Sequence, residues 1–113
     1  MENCLFCKII RGEIPARKFY EDDKMLIIAD IDPKAKNHYL LMVKEHFANL
    51  AEMNEKQAEL LACALKKLPS LTELLHLEGG FRLVVNQGEN AGQTVPHLHV
   101  HVLSGQKMGW QPA

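Results

Sequence analysis

The segment "HLHVHVL" at residues 97–103 constrains this chain most, because histidine alternates there with apolar residues. A β-strand sends successive side chains to opposite faces, so the pattern predicts a strand with His97, His99 and His101 on one face. Three of the six histidines in register indicate a functional site rather than a solvated face that happens to hold histidines. The opposite face is apolar and predicts a core contribution from Leu98, Val100 and Val102.

The rest of the chain predicts an α+β domain. "LFCKIIRGEIP" is typical of a short helix that stops at Gly12 and Pro15. Apolar runs between polar turns predict four further strands, in the order "KFYED", "KMLIIAD", "HYLLMVK" and "FRLVVNQ". Short loops between successive strands favour an antiparallel five-stranded sheet with the main helix against one face. A length of 113 residues predicts a single domain, 1–113.

The main helix is predicted over residues 54–78. Asn54 and Gln57 have the spacing of a capping box at its start, and Pro69 predicts a kink or break inside it. Cys63 falls within the helical pattern and is interpreted as a core residue. The predicted buried face consists of Ala58, Leu61, Ala62, Leu65, Leu68, Leu71 and Leu75.

Composition excludes several classes of partner. The net charge is -1, from 13 basic and 14 acidic residues, which gives no reason to expect a nucleic-acid or membrane-surface partner. No stretch is long and apolar enough to span a bilayer, and the first ten residues do not form a signal peptide. Three cysteines, an odd number with two of them close together, fit a reducing compartment. We therefore expect a cytoplasmic protein.

Two chemistries use a row of histidines. Neutral imidazole is a common metal ligand, and an imidazole that titrates near neutral pH is a nucleophile or an acid–base catalyst. Like charges at this spacing repel, so at least one of the three rings is expected to be neutral near pH 7. The row alone leaves both chemistries open.

The longer segment "NQGENAGQTVPHLHVHVL" resembles the signature of the histidine triad (HIT) superfamily. The stretches "FCKIIRGEIPARKFYEDD", "DIDPKAKNHYLLMVKEHF", "GFRLVVNQG" and "GQKMGW" are similar to corresponding parts of the Hint-like nucleoside phosphoramidase branch. The resemblance covers nearly the whole chain. It implies the HIT-like fold and hydrolysis of purine nucleoside phosphoramidates, in which a nucleoside monophosphate is linked to an amine.

The resemblance also implies a division of catalytic roles. His99 matches the middle histidine, a nucleophile that forms a covalent nucleotidyl-histidine, with its other nitrogen bonded to a backbone carbonyl. His101 matches the third histidine, which contacts phosphate oxygens. Thr94 matches a hydroxyl position near the phosphate or leaving group. Gln93 lies in the same loop, whose backbone amides are further donors.

The nucleotide contacts implied by the resemblance come from several segments. Asp30 matches an acidic residue that accepts hydrogen bonds from ribose hydroxyls, whereas Asp32 is interpreted as a turn residue. Asn86 and His38 match polar residues near the nucleotide, and each remains open to a purely structural reading. An apolar slot for the purine base is expected from Leu5, Phe6, Ile28 and Ile31.

The cysteine pair in "CLFC" suggests a metal site. Tetrahedral zinc needs four nitrogen or sulfur ligands, and some bacterial relatives in the family complete a cysteine pair with two histidines. The resemblance to this zinc-carrying type implies a structural zinc site made by Cys4, Cys7, His46 and His97. The alternative is that both cysteines are small buried hydrophobic residues.

A single tryptophan near the end of the chain points to a partner. The Hint-like branch is homodimeric, so Met108 and Trp110 are expected at an intersubunit contact, with packing on their own subunit as the alternative. Two rival functions stay open beside phosphoramidate hydrolysis. They are hydrolysis of dinucleoside polyphosphates, and nucleotide binding or protein interaction by a zinc-stabilised domain with little turnover.

Overall fold

The structure, a computed structural model, describes residues 3–110. Five antiparallel strands form one sheet in the order β1-β2-β3-β5-β4. A short helix α1 precedes the sheet, and α2 with its continuation α3 lies between β3 and β4. The bounds are α1 Leu5–Ile10, β1 Lys18–Glu21, β2 Met25–Ala29, β3 Asn37–Val43, α2 Glu55–Lys67, α3 Thr72–Leu75, β4 Phe81–Val84 and β5 Val100–Ser104. The predicted α+β class and five-stranded sheet are confirmed.

Both faces of the sheet are covered at its centre, because β2 and β3 are apolar nearly throughout. One face packs on the α2–α3 side, in a core that includes Ile27, Leu41 and Val102. The other packs on α1, in a smaller core that includes Phe6, Ile28 and Leu40. Alternate residues of one strand thus serve two cores. Among the described residues, no helix has the length and apolar character needed to cross a membrane.

The main helical segment breaks near Pro69, as the sequence predicted. Asn54 and Gln57 form a reciprocal capping box at the start of α2. The helix ends at Lys67, and Pro69 sits in a 3₁₀ turn over Leu68–Leu71 that leads into α3. Pro69 is tolerated because it falls in the first turn of this new segment, where no backbone donor is lost.

Two expectations for the main helix were wrong. Ala62 and Cys63 are exposed, because the buried stripe of the helix follows Leu61, Ala64 and Leu68. This stripe has the spacing of one helical face and is narrower than the predicted one. Ala62 and Cys63 lie beside it and face away from the sheet.

The last strand begins later than predicted. β5 starts at Val100, so His97 and His99 lie in the segment before it rather than within the strand. The alternation nevertheless holds, because Leu98, Val100 and Val102 belong to the larger core. At the far end of β5, Gly105 adopts a φ of +89°, and a Cβ there would lie 2.4 Å from the Asn37 side chain. Only glycine fits this turn without displacement.

Candidate functional site

Four side chains from three distant segments meet beside α1. Cys4 is the N-cap of α1 and Cys7 lies inside it, while His46 follows β3 and His97 precedes β5. The Sγ atom of Cys7 lies 3.3 Å from Nδ1 of His46 and 3.5 Å from Nδ1 of His97. Sγ of Cys4 lies 3.4 Å from Nδ1 of His97, and the two histidine Nδ1 atoms are 3.2 Å apart. We call these four residues the Cys/His cluster.

The geometry of the Cys/His cluster fits a zinc ion. Tetrahedral zinc, with bonds of about 2.3 Å to sulfur and about 2.0 Å to nitrogen, holds its ligand atoms roughly 3.3–3.8 Å apart. The measured separations of 3.2–3.5 Å are close to that range. Two thiols and two imidazoles are also the donor set that zinc prefers. The set is closed at four ligands, so bound zinc would stabilise the fold rather than activate water.

Without a cation, the electrostatics of the cluster favour the neutral forms of Cys7 and His97. Burial and the neighbouring Cys4 raise the pKa of the Cys7 thiol to about 11, so the thiolate pair is unfavourable without a positive charge between the sulfur atoms. Burial and the nearby His46 lower the pKa of His97 to about 4. His97 is therefore neutral near pH 7, as a metal ligand must be.

His99 is held in one tautomer. Its Nδ1 lies 2.8 Å from the backbone carbonyl oxygen of His97, which can only accept, so Nδ1 carries the proton and Nε2 keeps a lone pair. Phe6 packs against the imidazole with ring centroids 4.9 Å apart and nearly perpendicular planes. Burial lowers the pKa of His99. The ring is thus neutral, oriented and nucleophilic at Nε2.

A second group of side chains consists of Asp30, His38 and His101; we call it the Asp/His cluster. Nε2 of His38 lies 2.8 Å from Nδ1 of His101 and 3.3 Å from Oδ2 of Asp30. The backbone N–H of Lys34 donates to Nδ1 of His38 over 2.9 Å. His38 therefore carries its proton on Nε2 and donates it to Nδ1 of His101, which places the proton of His101 on Nε2.

The Asp/His cluster does not fit a metal ion, although its three ligand atoms lie as close together as those of the Cys/His cluster. A ligating histidine donates from its other nitrogen. His38 instead accepts at Nδ1, so the lone pair that a metal would need at Nε2 is replaced by a proton. The Asp/His cluster is a hydrogen-bonded chain that ends at His101.

His99 and the Asp/His cluster line a cavity of about 400 Å³. Burial first, and then the neighbouring His99 and His38, lower the pKa of His101 to about 4. Burial also lowers the pKa of His38. The expectation of at least one neutral ring is met by all three histidines of the row. The cavity is additionally lined by Asp32, Lys34, Val84, Asn86, Ala91, Gly92, Thr94 and Leu103.

Only some residues of the loop before the histidines line this cavity. Thr94 and Asn86 line it, and Nδ2 of Asn86 also donates to the carbonyl of Ala91. The side chain of Gln93 is not among the lining residues. It accepts from the backbone N–H of Gly88 and donates to the carbonyl of Ala48, so it shapes the loop. The prediction that Gln93 contacts the nucleotide therefore remains only for its backbone amide.

The four residues of the expected base slot are not gathered around this cavity. Phe6 and Ile28 are buried in the smaller core, 5% and 3% exposed. Leu5 is 43% exposed and Ile31 fully exposed. Ile31 stands between Asp30 and Asp32, which do line the cavity. That these four residues contact the base stays a prediction. Of the four, Leu5 and Ile31 are the two that expose enough surface for such a contact.

Several lining residues were missed from the sequence. Leu103 lies two positions after His101 on β5, and Val84 pairs with His101 across β4, so strand alternation and register would have found both. Asp32 does have the predicted turn role, since its N–H donates to Oδ1 of Asp30. Lys34 acts through its backbone, and the sequence carries no signal for that contact.

Comparison with known proteins agrees with this architecture. Residues 3–111 match the family model described as the C-terminal binding domain of the scavenger mRNA decapping enzyme. The chain is 42% identical over 103 residues to the protein HitA of Neisseria gonorrhoeae, covering 91% of this chain and 96% of that protein. It is 40% identical over 110 residues to a 14 kDa zinc-binding protein of Zea mays, covering 96% of this chain and 86% of the relative.

Solved structures give the same result. A HIT family hydrolase from Clostridium thermocellum superposes with a TM-score of 0.91 at 46% identity, over 98% of this chain and 97% of that one. A zinc-bound histidine triad protein from Mycobacterium smegmatis superposes with a TM-score of 0.79 at 32% identity, over 99% and 84%. The fold, with a row of histidines beside its cavity, is that of a class of proteins that includes HIT family hydrolases. The chain belongs to the histidine triad family.

Proposed function

We propose that this protein hydrolyses purine nucleoside phosphoramidates through a covalent nucleotidyl-histidine at His99. One observation carries the proposal. Nδ1 of His99 is tied to the carbonyl of His97, so that Nε2 is the unprotonated nitrogen of a ring that lines the 400 Å³ cavity. Attack on phosphorus requires this lone pair on a neutral, fixed imidazole.

The reaction has two displacements. Nε2 of His99 bonds to the α-phosphorus, and the bond between phosphorus and the amine breaks, with its electron pair leaving on nitrogen. Nε2–H of His101 donates a hydrogen bond to a phosphoryl oxygen, and the departing nitrogen takes a proton from solvent water. Water then attacks phosphorus and gives a proton to solvent, the bond between phosphorus and Nε2 of His99 breaks with its electron pair returning to His99, and a nucleoside monophosphate is released. His38 acts as a positioning residue, because its Nε2–H holds His101 in the donor tautomer.

The nucleotide is oriented by side chains that surround His99. Thr94 and Asn86 supply a hydroxyl and an amide for phosphate and ribose oxygens. Oδ1 of Asp30 already accepts the N–H of Asp32, yet a carboxylate has about four lone-pair sites, so capacity remains for ribose hydroxyls. The exposed Ile31 supplies an apolar contact for the purine.

Zinc is proposed to occupy the Cys/His cluster in the native protein. The cluster has the ligand spacing of a tetrahedral site, and two relatives are described as zinc-binding or zinc-bound. Cys4, Cys7 and Cys63 are all free thiols, which fits the proposed cytoplasmic location. When bound, the ion stabilises the fold by joining α1 to the segments that follow β3 and precede β5.

A homodimer is proposed on the evidence of the edge strand β4. Phe81 and Leu83 of this strand, and Val85 directly after it, are each about 40% exposed, and β4 is at the edge of the sheet, where a further strand can pair. Trp110 is 97% exposed, so packing on its own subunit does not account for it. The carbonyl of Gly109 accepts a hydrogen bond from Arg82 of β4, which brings Trp110 and the half-buried Met108 to the same edge.

The test is to mix the protein with an adenosine phosphoramidate, quench within the first turnovers and measure the intact mass. An added nucleoside monophosphate on a peptide that contains His99 is expected. His99→Ala should lose more than about 10³-fold in turnover yet still bind nucleoside monophosphate. Normal turnover by this variant would contradict the proposal. Faster turnover of a dinucleoside polyphosphate, or binding without turnover in the wild type, would favour one of the two rival functions.

A further inference from the structure

We propose that the Cys/His cluster also orients the catalytic histidine, with Cys4, Cys7 and His46 acting as positioning residues for His99. The route is the peptide unit between His97 and Leu98. This inference rests on the proposed role of His99 as nucleophile. It adds that a site outside the cavity determines whether that nucleophile is in its reactive tautomer.

The peptide unit between His97 and Leu98 is held at both of its polar groups. Its carbonyl oxygen accepts Nδ1–H of His99 over 2.8 Å. Its N–H, on Leu98, donates to the carbonyl of Phe47 over 2.8 Å. Phe47 directly follows His46, a member of the cluster. The acceptor that sets the His99 tautomer therefore sits on a peptide anchored to the segment that carries another ligand.

No strand ladder fixes this peptide. β5 begins at Val100, so the carbonyl of His97 depends on local contacts for its direction. One of these contacts is made by the ring of His97 itself, which is 1% exposed and whose Nδ1 lies within 3.5 Å of a ligand atom of each of Cys4, Cys7 and His46. When the cluster is closed, the side chain of His97 is fixed, and its own carbonyl is fixed with it.

A second path runs through α1. This helix has six residues and is too short to be stable alone. Its two cysteines attach it to His46 and His97 and thereby place Phe6, which lies between them in the sequence. The Phe6 ring packs on both His97 and His99, with centroid separations of 5.9 Å and 4.9 Å. Loosening the cluster would loosen the ring that packs against the nucleophile.

The inference predicts which kinetic quantity changes. Asp30 and Asn86 line the cavity from the ends of β2 and β4, which carry no cluster ligand. Nucleotide binding should therefore survive loss of the cluster, whereas the chemical step should not. If the cluster had only a structural role, its loss would weaken nucleotide binding and kcat together, in proportion to the fraction of the protein that unfolds.

The test uses His46, because it is the least buried of the four ligands. His46→Ala removes a ligand, His46→Cys replaces it with another zinc donor, and Cys63→Ser changes a cysteine outside the cluster. For each variant, metal content is measured, together with kcat, the Kd of adenosine monophosphate, and the tautomer of His99 by nitrogen-15 NMR of labelled histidine. Circular dichroism checks that each variant is folded.

The expected result for His46→Ala is loss of metal, a fall of at least tenfold in kcat, a Kd within threefold of wild type and a His99 signal that is no longer purely Nδ1–H. His46→Cys should restore all of these, and Cys63→Ser should change none. If His46→Ala does not fold, the same quantities are measured on wild-type protein titrated with a chelator.

Loss of metal with an unchanged His99 tautomer would overturn the inference, as would metal loss without a change in kcat. The NMR readout requires no turnover. A failure of the proposed enzymatic activity is therefore distinguishable from a failure of this coupling.

Discussion

The Cys/His cluster and the Asp/His cluster are similar in compactness and opposite in chemistry. In each, the potential ligand atoms lie within 4.8 Å of one another. In the Cys/His cluster both histidines present Nδ1 to the centre. In the Asp/His cluster a backbone N–H occupies Nδ1 of His38 and turns its Nε2 into a donor. A single main-chain hydrogen bond to His38 therefore makes the Asp/His cluster a chain of hydrogen-bond donors rather than a metal site.

The comparison teaches that ligand-type residues at ligand-type distances do not by themselves make a metal site. The tautomer of His38 decides the case of the Asp/His cluster, and it is set by the backbone N–H at the nitrogen that faces away from the centre. His99 follows the same rule, because its Nδ1–H is committed to a carbonyl. Four predictions would break or sharpen this distinction.

Metal removal should have the largest effect. A ligand that is present at about 1,000 times its Kd stabilises a fold by roughly 4 kcal/mol, so a strong chelator should lower Tm by about 15 °C for a domain of this size. The measurement is calorimetry with and without chelator. Asp30→Asn, in the Asp/His cluster, should keep one zinc per chain. An equal loss of zinc in this variant would break the distinction.

Lowering the pH should have the second-largest effect on the free energy of unfolding, because of His101. Its folded-state pKa is lowered from 6.5 to about 4, so the unfolded chain binds its proton more readily. The stability that His101 contributes is complete above pH 6.5 and is lost as the pH falls towards 4, by about 3 kcal/mol.

Urea unfolding at pH 7 and pH 4.5 measures this loss in wild type and in His101→Asn. The two proteins share every other acid-sensitive group, so the difference between them isolates His101. The variant should lose less stability than wild type over this interval. Parallel losses would show that His101 is not the group responsible.

Replacement of His38 should reduce turnover while leaving the metal in place. His38→Ala removes the N–H that holds His101 in its donor tautomer, and kcat should fall roughly 100-fold, the lower end of what loss of one hydrogen-bond donor to the transition state costs. Zinc content should equal that of wild type. His76→Asn is the matched control, since His76 is an exposed histidine outside both clusters with a left-handed backbone that asparagine tolerates.

Replacement of the third cysteine should have the smallest effect. Cys63 is exposed on α2, so Cys63→Ser should change the free energy of unfolding by less than about 0.5 kcal/mol. Zinc content should not change either. A large destabilisation in urea would restore the core role that the helical pattern suggested.

The sequence predicted most of the fold because its signals are local. Apolar runs, turn residues, the Asn54–Gln57 pair and Pro69 each act over a few residues, and the strands and helix break appear where these signals lie. The exposed Cys63 was misjudged because a period of 3.6 residues does not show how wide the buried stripe is. Its width depends on how closely α2 packs against β3.

The site was predictable in part for a different reason. The resemblance supplied the four residues of the Cys/His cluster, which the structure brings together. The donation from Lys34 to His38 comes from a main-chain group and has no side-chain signature. Likewise, the late start of β5 leaves the carbonyl of His97 free to accept from His99. Contacts made by the backbone outside regular elements are the part that a residue pattern does not encode.

The Cys/His cluster has a consequence for the order of events during synthesis. Cys4 and His97 are 93 positions apart, so the first helix leaves the ribosome long before its last anchoring partner exists. Until His97 emerges, the two thiols of α1 have only a partial site. Helix α1 should therefore dock late, and metal capture should wait for the synthesis of His97.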